Sequence, residues 1–122
     1  MTDHDNLPRP VETEFEVDVR TEARATVVTV SGELDVASSR TLEQELAKLQ
    51  QATTMIVDLR TLTFIDSTGL GVLLRTHQLC KQHGRRFALA CGAGQVSRLL
   101  SLTGLGDELL VVDSPEELLA GQ

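Results

Sequence analysis

The stretch Thr63-Phe64-Ile65-Asp66-Ser67-Thr68-Gly69-Leu70-Gly71 sets two hydroxyls beside a carboxylate, between one apolar run and the next. Upstream, Met55-Ile56-Val57-Asp58-Leu59 reads as a short buried strand, and downstream Leu70, Leu73, Leu74 and Cys80 recur at helical spacing. The junction is therefore a helix N-terminus, whose unpaired backbone N–H groups and partial positive charge tolerate an attached phosphate. The two hydroxyls of Ser67 and Thr68 make an accessible acceptor for a phosphoryl group, with Gly69 and Gly71 allowing another backbone to come close. The same residues also read as a plain cap and tight turn with no chemistry. Asp35, in the turn Gly32-Glu33-Leu34-Asp35, has two readings as well: a group lying near Ser67 at one end of a sheet, or an ordinary polar turn residue.

Nothing in the sequence turns Ser67 into an independent nucleophile. A hydrolase serine needs a histidine base within hydrogen-bond reach, and the chain has His4, His77 and His83. His4 lies in the N-terminal segment, His77 on the apolar arc of its helix as a half-buried packing residue, and His83 near the far end of that helix. Gly92 and Gly94 follow a strand and open a helix, but the third glycine of a dinucleotide fingerprint is replaced by Ser97. No Gly-Lys-Ser/Thr phosphate loop is present. Cys80 and Cys91 stand among apolar neighbours without metal-ligand spacing, and are expected to be core thiols. The expectation is of no catalytic residues, no cofactor and no metal.

The elements that must position this turn are legible along the chain. Its 122 residues suit one domain, which buries roughly two-thirds of the surface of its unfolded chain. Residues 1–12 read as a mobile tail and 13–120 as the domain. Alternation from Glu14 to Val19 and a β-rich run from Ala25 to Val30 predict an opening hairpin joined by a polar connection, Arg20 to Arg24. Gly32 is expected to break the second strand, and Ser38 or Ser39 to cap a helix carrying Leu42, Leu46 and Leu49 that ends near Gln51. After the strand at 55–59 and the helix from Asp66 to His83, Phe87–Cys91 is a fourth strand. A helix with Val96, Leu99, Leu100 and Leu102 follows, then a strand at Leu109–Val112 and a helix opened by Ser114-Pro115-Glu116-Glu117. Lys81, Arg85 and Arg86 read as cations at a helix C-terminus. The fold class is α/β, in the order ββαβαβαβα, with a mixed sheet flanked by helices.

Bulk properties exclude several partners. The formal charge is -7, and Phe15, Phe64 and Phe87 are the only aromatics, which opposes both phosphate-backbone binding and base stacking. No long apolar run or basic-then-apolar leader is present, so the expected location is cytoplasmic, without membrane contact.

Three ordered motifs carry a family resemblance. Gly32-Glu33-Leu34-Asp35 after a strand, Phe64-Ile65-Asp66-Ser67-Thr68-Gly69-Leu70-Gly71 at a strand-to-helix turn, and Val96-x-Arg98-Leu99-Leu100-x-x-Thr103-Gly104-Leu105 together resemble bacterial anti-sigma factor antagonists of the STAS domain family. The resemblance implies a protein that binds an anti-sigma factor, itself an ATP-dependent serine kinase, and so frees a sigma factor. It implies that phosphorylation of Ser67, or less readily Thr68, ends that interaction, and that a PP2C-type phosphatase restores it. Asp35, Asp66, Ser67, Thr68 and Gly69 are then expected at the partner surface. Competing readings are a phosphorylation-independent STAS scaffold in a sensor or transporter-associated complex, and an aspartate-phosphorylated receiver domain. The receiver reading lacks its acidic pair and its late lysine. An independent enzyme is the weakest reading.

Overall fold

The computed structural model describes residues 15–120; the expected tail at residues 1–12 lies outside them. Its elements are β1 (Glu16–Glu22), β2 (Ala25–Leu34), α1 (Val36–Ala47), β3 (Thr54–Ile65), α2 (Ser67–Gln82), β4 (Arg86–Ala90), α3 (Gln95–Thr103), β5 (Leu110–Val112) and α4 (Glu116–Leu119). A single 3-10 turn, Leu105–Asp107, precedes β5. The expected order of helices and strands is thus observed, in a mixed sheet.

The sheet runs β1-β2-β3-β4-β5 in space, with β1 antiparallel to β2 and every later pair parallel. Because right-handed crossovers step in one direction along the sheet, they stack α1, α2 and α3 on one face. One core cluster accordingly joins Leu42 and Leu46 of α1, Leu70, Leu73 and Cys80 of α2, and Val96 and Leu100 of α3 to Val28, Val57 and Leu89 of the strands. Alternate strand residues, Ala25, Val27, Ile56 and Ala90, face the other way and pack with Leu118 and Leu119 at α4. Leu74 is partly buried against the helix-side core, whereas Leu102, expected on the apolar stripe of α3, is 79% exposed.

Two strands exceed their predicted length. Gly32 does not break β2: its φ of +93° absorbs a bulge, and pairing resumes through Glu33↔Phe64 and Leu34↔Ile65. Likewise β3 continues past Leu59 to Ile65, six residues supported by β2 alone, since β4 pairs only with Thr54–Asp58. Sequence alone reads a glycine in a strand as punctuation and the polar Arg60, Thr61 and Thr63 as loop, which is why both extensions were not expected. Within β3, the buried Asp58 is held by Arg60 through Nε–Oδ1 and Nη2–Oδ2 contacts of 2.9 Å each, which offsets the cost of a carboxylate in the sheet.

Further differences have local causes. The cap of α1 is Asp35, not Ser38 or Ser39; Ser38 is its reciprocal partner, and Ser39 is buried. The regular helix ends at Ala47, and the turn beyond it is closed by Arg85, whose guanidinium donates to the carbonyls of Leu49 (2.6 Å) and Ala52 (2.7 Å). The Arg85 side chain therefore serves the end of α1, while its backbone N–H closes the end of α2 on the Cys80 carbonyl at 2.7 Å. Pro115 stands one place earlier than expected, at the N-cap of the short α4.

The hairpin connection is only Ala23-Arg24, both at positive φ (48° and 72°), with Glu22↔Ala25 closing the ladder. That geometry favours Asn-Gly, and left-handed backbone costs roughly 1 kcal/mol for each ordinary residue. Replacing the pair by Ala23→Asn and Arg24→Gly is expected to raise stability by about 1 kcal/mol. Urea unfolding checks this through a higher midpoint at unchanged slope.

Candidate functional site

Both β2 and β3 end in the same way: an apolar residue, an aspartate in extended backbone, then a helix. Asp35 (φ -117°, ψ -166°) caps α1 and Asp66 (φ -112°, ψ -175°) caps α2. Because Leu34 and Ile65 are register partners, and the Asp66 N–H donates to the Leu34 carbonyl at 3.1 Å, the two capped turns lie side by side. The expectation that Asp35 lies at the same sheet end as Ser67 is realised, and Asp35 is a structural cap as well.

In the second turn, Asp66 Oδ1 accepts from the Gly69 N–H at 3.0 Å and its carbonyl from the Leu70 N–H at 3.0 Å. This leaves the carboxylate engaged in holding the helix start. Ser67 is the first residue of α2, and both it and Thr68 are exposed. The first-turn amides of a helix have no carbonyl one turn back to bond, so those of Ser67 and Thr68 remain available to an anion at the Ser67 hydroxyl.

Gly69 explains the close approach of the two turns. A Cβ there would stand 2.6 Å from Leu34 Cγ and 2.8 Å from Leu34 Cδ2, inside any tolerable contact, so Gly69 is buried against the end of β2. Among the expected partner-surface residues it is the one that faces inward. Gly71 has no such role, since its nearest neighbour would be Arg75 Nη1 at 3.4 Å. Gly69→Ala is expected to cost about 2 kcal/mol through overpacking, and Gly71→Ala to change stability by less than about 1 kcal/mol. Paired thermal melts of the two variants check this contrast.

In the first turn, Ser38 N–H donates to Asp35 Oδ1 at 3.0 Å while the Asp35 N–H donates to Ser38 Oγ at 2.9 Å, a complete capping box. The bond from the Ser38 backbone, followed by that from its hydroxyl, holds the Asp35 carboxyl below its ordinary range. The folded pKa lies below the unfolded one, so this stabilisation is present above the unfolded pKa and is lost as pH falls through the folded one. Carboxyl NMR titration is expected to show Asp35 ionising below an ordinary aspartate, and Ser38→Ala to move it upward. An unchanged titration in Ser38→Ala would contradict the assignment.

Neither described histidine reaches the site. His77 lies roughly 15 Å along α2 from Ser67, at 1.5 Å per residue. Its half-buried ring is tilted 52° to Phe87 with centroids 6.0 Å apart. His83 forms the C-cap of α2, its Nδ1 2.9 Å from the Leu79 carbonyl, and His4 lies outside the described residues. Burial pushes both thiols up, Cys91 to about 11, so neither is poised as a thiolate. A cavity of 570 Å³ lies between α1 and α2, lined by Leu46, Met55, Leu79 and Cys80, toward the helix ends remote from Ser67. Among the described residues no group of three or more His, Cys, Asp or Glu side chains could hold a metal ion. No helix among them is long and apolar enough to cross a membrane.

Sequence reasoning passed over two exposed apolar residues at this end, Val36 and Phe64. Val36 is the first residue of α1, the place Ser67 holds in α2. The available signal was an aromatic two residues before the capping aspartate, inside the motif itself.

A five-stranded mixed sheet with three helices on one face and the short α4 against the other, its adjacent strands β2 and β3 running into capped helices, is the architecture of a STAS domain. The family description "STAS domain" matches residues 16–118, and the chain belongs to that family, among the bacterial anti-sigma factor antagonists. The anti-sigma-B factor antagonist of Bacillus subtilis (strain 168) is 34% identical over 92 residues, covering 75% of this chain and 84% of that protein. An anti-sigma factor antagonist from Mycobacterium paratuberculosis matches with a TM-score of 0.82 at 24% identity, covering 94% of this chain and 97% of that one. The Bacillus cell fate determinant SpoIIAA in its phosphorylated form matches with a TM-score of 0.66 at 23% identity, over 88% of this chain and 97% of that one.

Proposed function

We propose that this protein is a partner switch. Its unphosphorylated form binds an anti-sigma factor that is also a serine kinase, and so releases the sigma factor; phosphorylation of Ser67 ends the interaction. The observation that carries this reading is the exposed Ser67 hydroxyl on the first turn of α2, beside two capping aspartates and, among the described residues, with no histidine base within reach. Such a serine is a substrate and not a catalyst. The kinase transfers the γ-phosphoryl of ATP: the bond to the ADP leaving oxygen breaks, the bond to Ser67 Oγ forms, and the serine proton passes to a base of the kinase. Hydrolysis by a PP2C-type phosphatase returns the free hydroxyl. A relative of this fold whose structure is that of a phosphorylated form supports the reading.

Charge explains why binding and fold respond differently. A phosphoserine brings about -1.5 to -2 charges and three acceptor oxygens. Helix amides and dipole at the start of α2 favour that charge, so the domain keeps its structure. A partner that must desolvate the same patch meets Asp35, Asp66 and the phosphate together, and loses affinity. Asp35, Asp66 and Thr68 are thus part of the contact surface, with Gly69 supporting it from beneath.

Incubation with ATP and the host's purified anti-sigma factor kinase, followed by intact mass and site mapping, tests the reading. One phosphate on the wild type at Ser67, none on Ser67→Ala, and at least about tenfold weaker kinase binding by Ser67→Asp are expected. No phosphate in the presence of an active kinase, mapping to Thr68 alone, or undiminished binding by Ser67→Asp would overturn it.

A further inference from the structure

We infer that Val36 and Phe64 are the apolar anchors by which the anti-sigma factor kinase grips this end of the domain, an inference that rests on the function proposed above. Val36 is 62% exposed and Phe64 45% exposed. Neither joins either core cluster: Leu34 is buried in the helix-side core and Ile65 packs against it, so Phe64, next to Ile65 along the strand, stands on the opposite face of β3. Local structure does not call for them either. Valine is a weak helix former, and the first turn of a helix gains from acidic or polar residues there. A phenylalanine left in water forfeits the burial that makes aromatics useful to a fold.

Their placement gives them a use. Phe64 pairs in register with Glu33 and precedes Asp66 by two residues, while Val36 follows Asp35 directly. Phe64, at the end of β3, and Val36, at the start of α1, therefore flank the two turns that carry Ser67 and its carboxylates, one from each side of the sheet end. An exposed aromatic and an aliphatic residue amid hydrogen-bonding groups have the composition of an interface centre, where a few buried contacts carry most of the affinity. The matching partner surface is an apolar pocket rimmed by N–H donors or cations, which complements Glu33, Asp35 and Asp66. The kinase is the occupant that fits, because it must dock on this surface to reach Ser67.

This separates two roles at one end of the sheet. Val36 and Phe64 supply affinity in either phosphorylation state, and Ser67 supplies control. Binding of each purified anti-sigma factor kinase of the same host is measured for wild type, Val36→Ala, Phe64→Ala and Phe64→Leu, together with the kinetics of Ser67 phosphorylation. Each alanine variant is expected to bind at least about tenfold more weakly, with KM for the protein substrate raised and kcat retained, while Phe64→Leu keeps most of the affinity. Both positions being exposed, circular dichroism and melting temperature are expected to stay at wild-type values. Wild-type binding with undiminished binding by both alanine variants would overturn the inference alone. Failure of the wild type to bind any such kinase would overturn the proposed function, and the inference with it.

Discussion

The structure depends on the contact between the end of β2 and the start of α2. Leu34 pairs with Ile65, its carbonyl accepts the Asp66 N–H, and its side chain fills the space that a Cβ on Gly69 would need. These interactions act on one residue from three directions, so the two strand ends can differ little in position. The aspartates that follow are thereby held in matching turns, and the two helices leave the sheet side by side. An exposed serine placed on so constrained a turn presents the same geometry to every partner that meets it.

That rigidity has a consequence for control. A switch working through refolding would need a bistable element, and here the Asp66-Ser67 turn is fixed by caps and packing on both sides. A charge added at Ser67 therefore acts mainly on what approaches from outside. Moving a binding equilibrium from 1:99 to 99:1 takes about 5.5 kcal/mol of differential affinity. Repulsion among a phosphate and two carboxylates in a desolvated interface is of the right order to supply a large part of it. The chain's overall charge of -7 works in the same direction.

Much of this was legible in the sequence, and the parts that were not share a physical reason. Periodicity located every helix and strand, because the apolar stripes of Leu42 and Leu46, of Leu70 and Leu73, and of Val96 and Leu100 are all turned to one core. The turn at Asp66 and Ser67 was legible as a helix start because a hydroxyl cluster follows a carboxylate between two apolar runs. What escaped depended on partners distant in sequence. Gly32 continues a strand because β3 is there to pair with it, and Arg85 closes a helix thirty-odd residues earlier. The choice of Asp35 over Ser38 as cap is reciprocal, so either residue alone is a plausible reading. Val36 and Phe64 escaped because the exposure of a single apolar residue depends on packing that sequence does not display.

The central claim is that a phosphate at Ser67 changes the surface and leaves the fold intact. Amide NMR spectra and hydrogen exchange of the unphosphorylated and Ser67-phosphorylated protein test it most directly. The account predicts shift changes confined to the turns around Asp35 and Ser67, with protection of β2, β3 and α2 retained. Widespread shifts, or lost protection along β3 and α2, would contradict it and make the switch a conformational one.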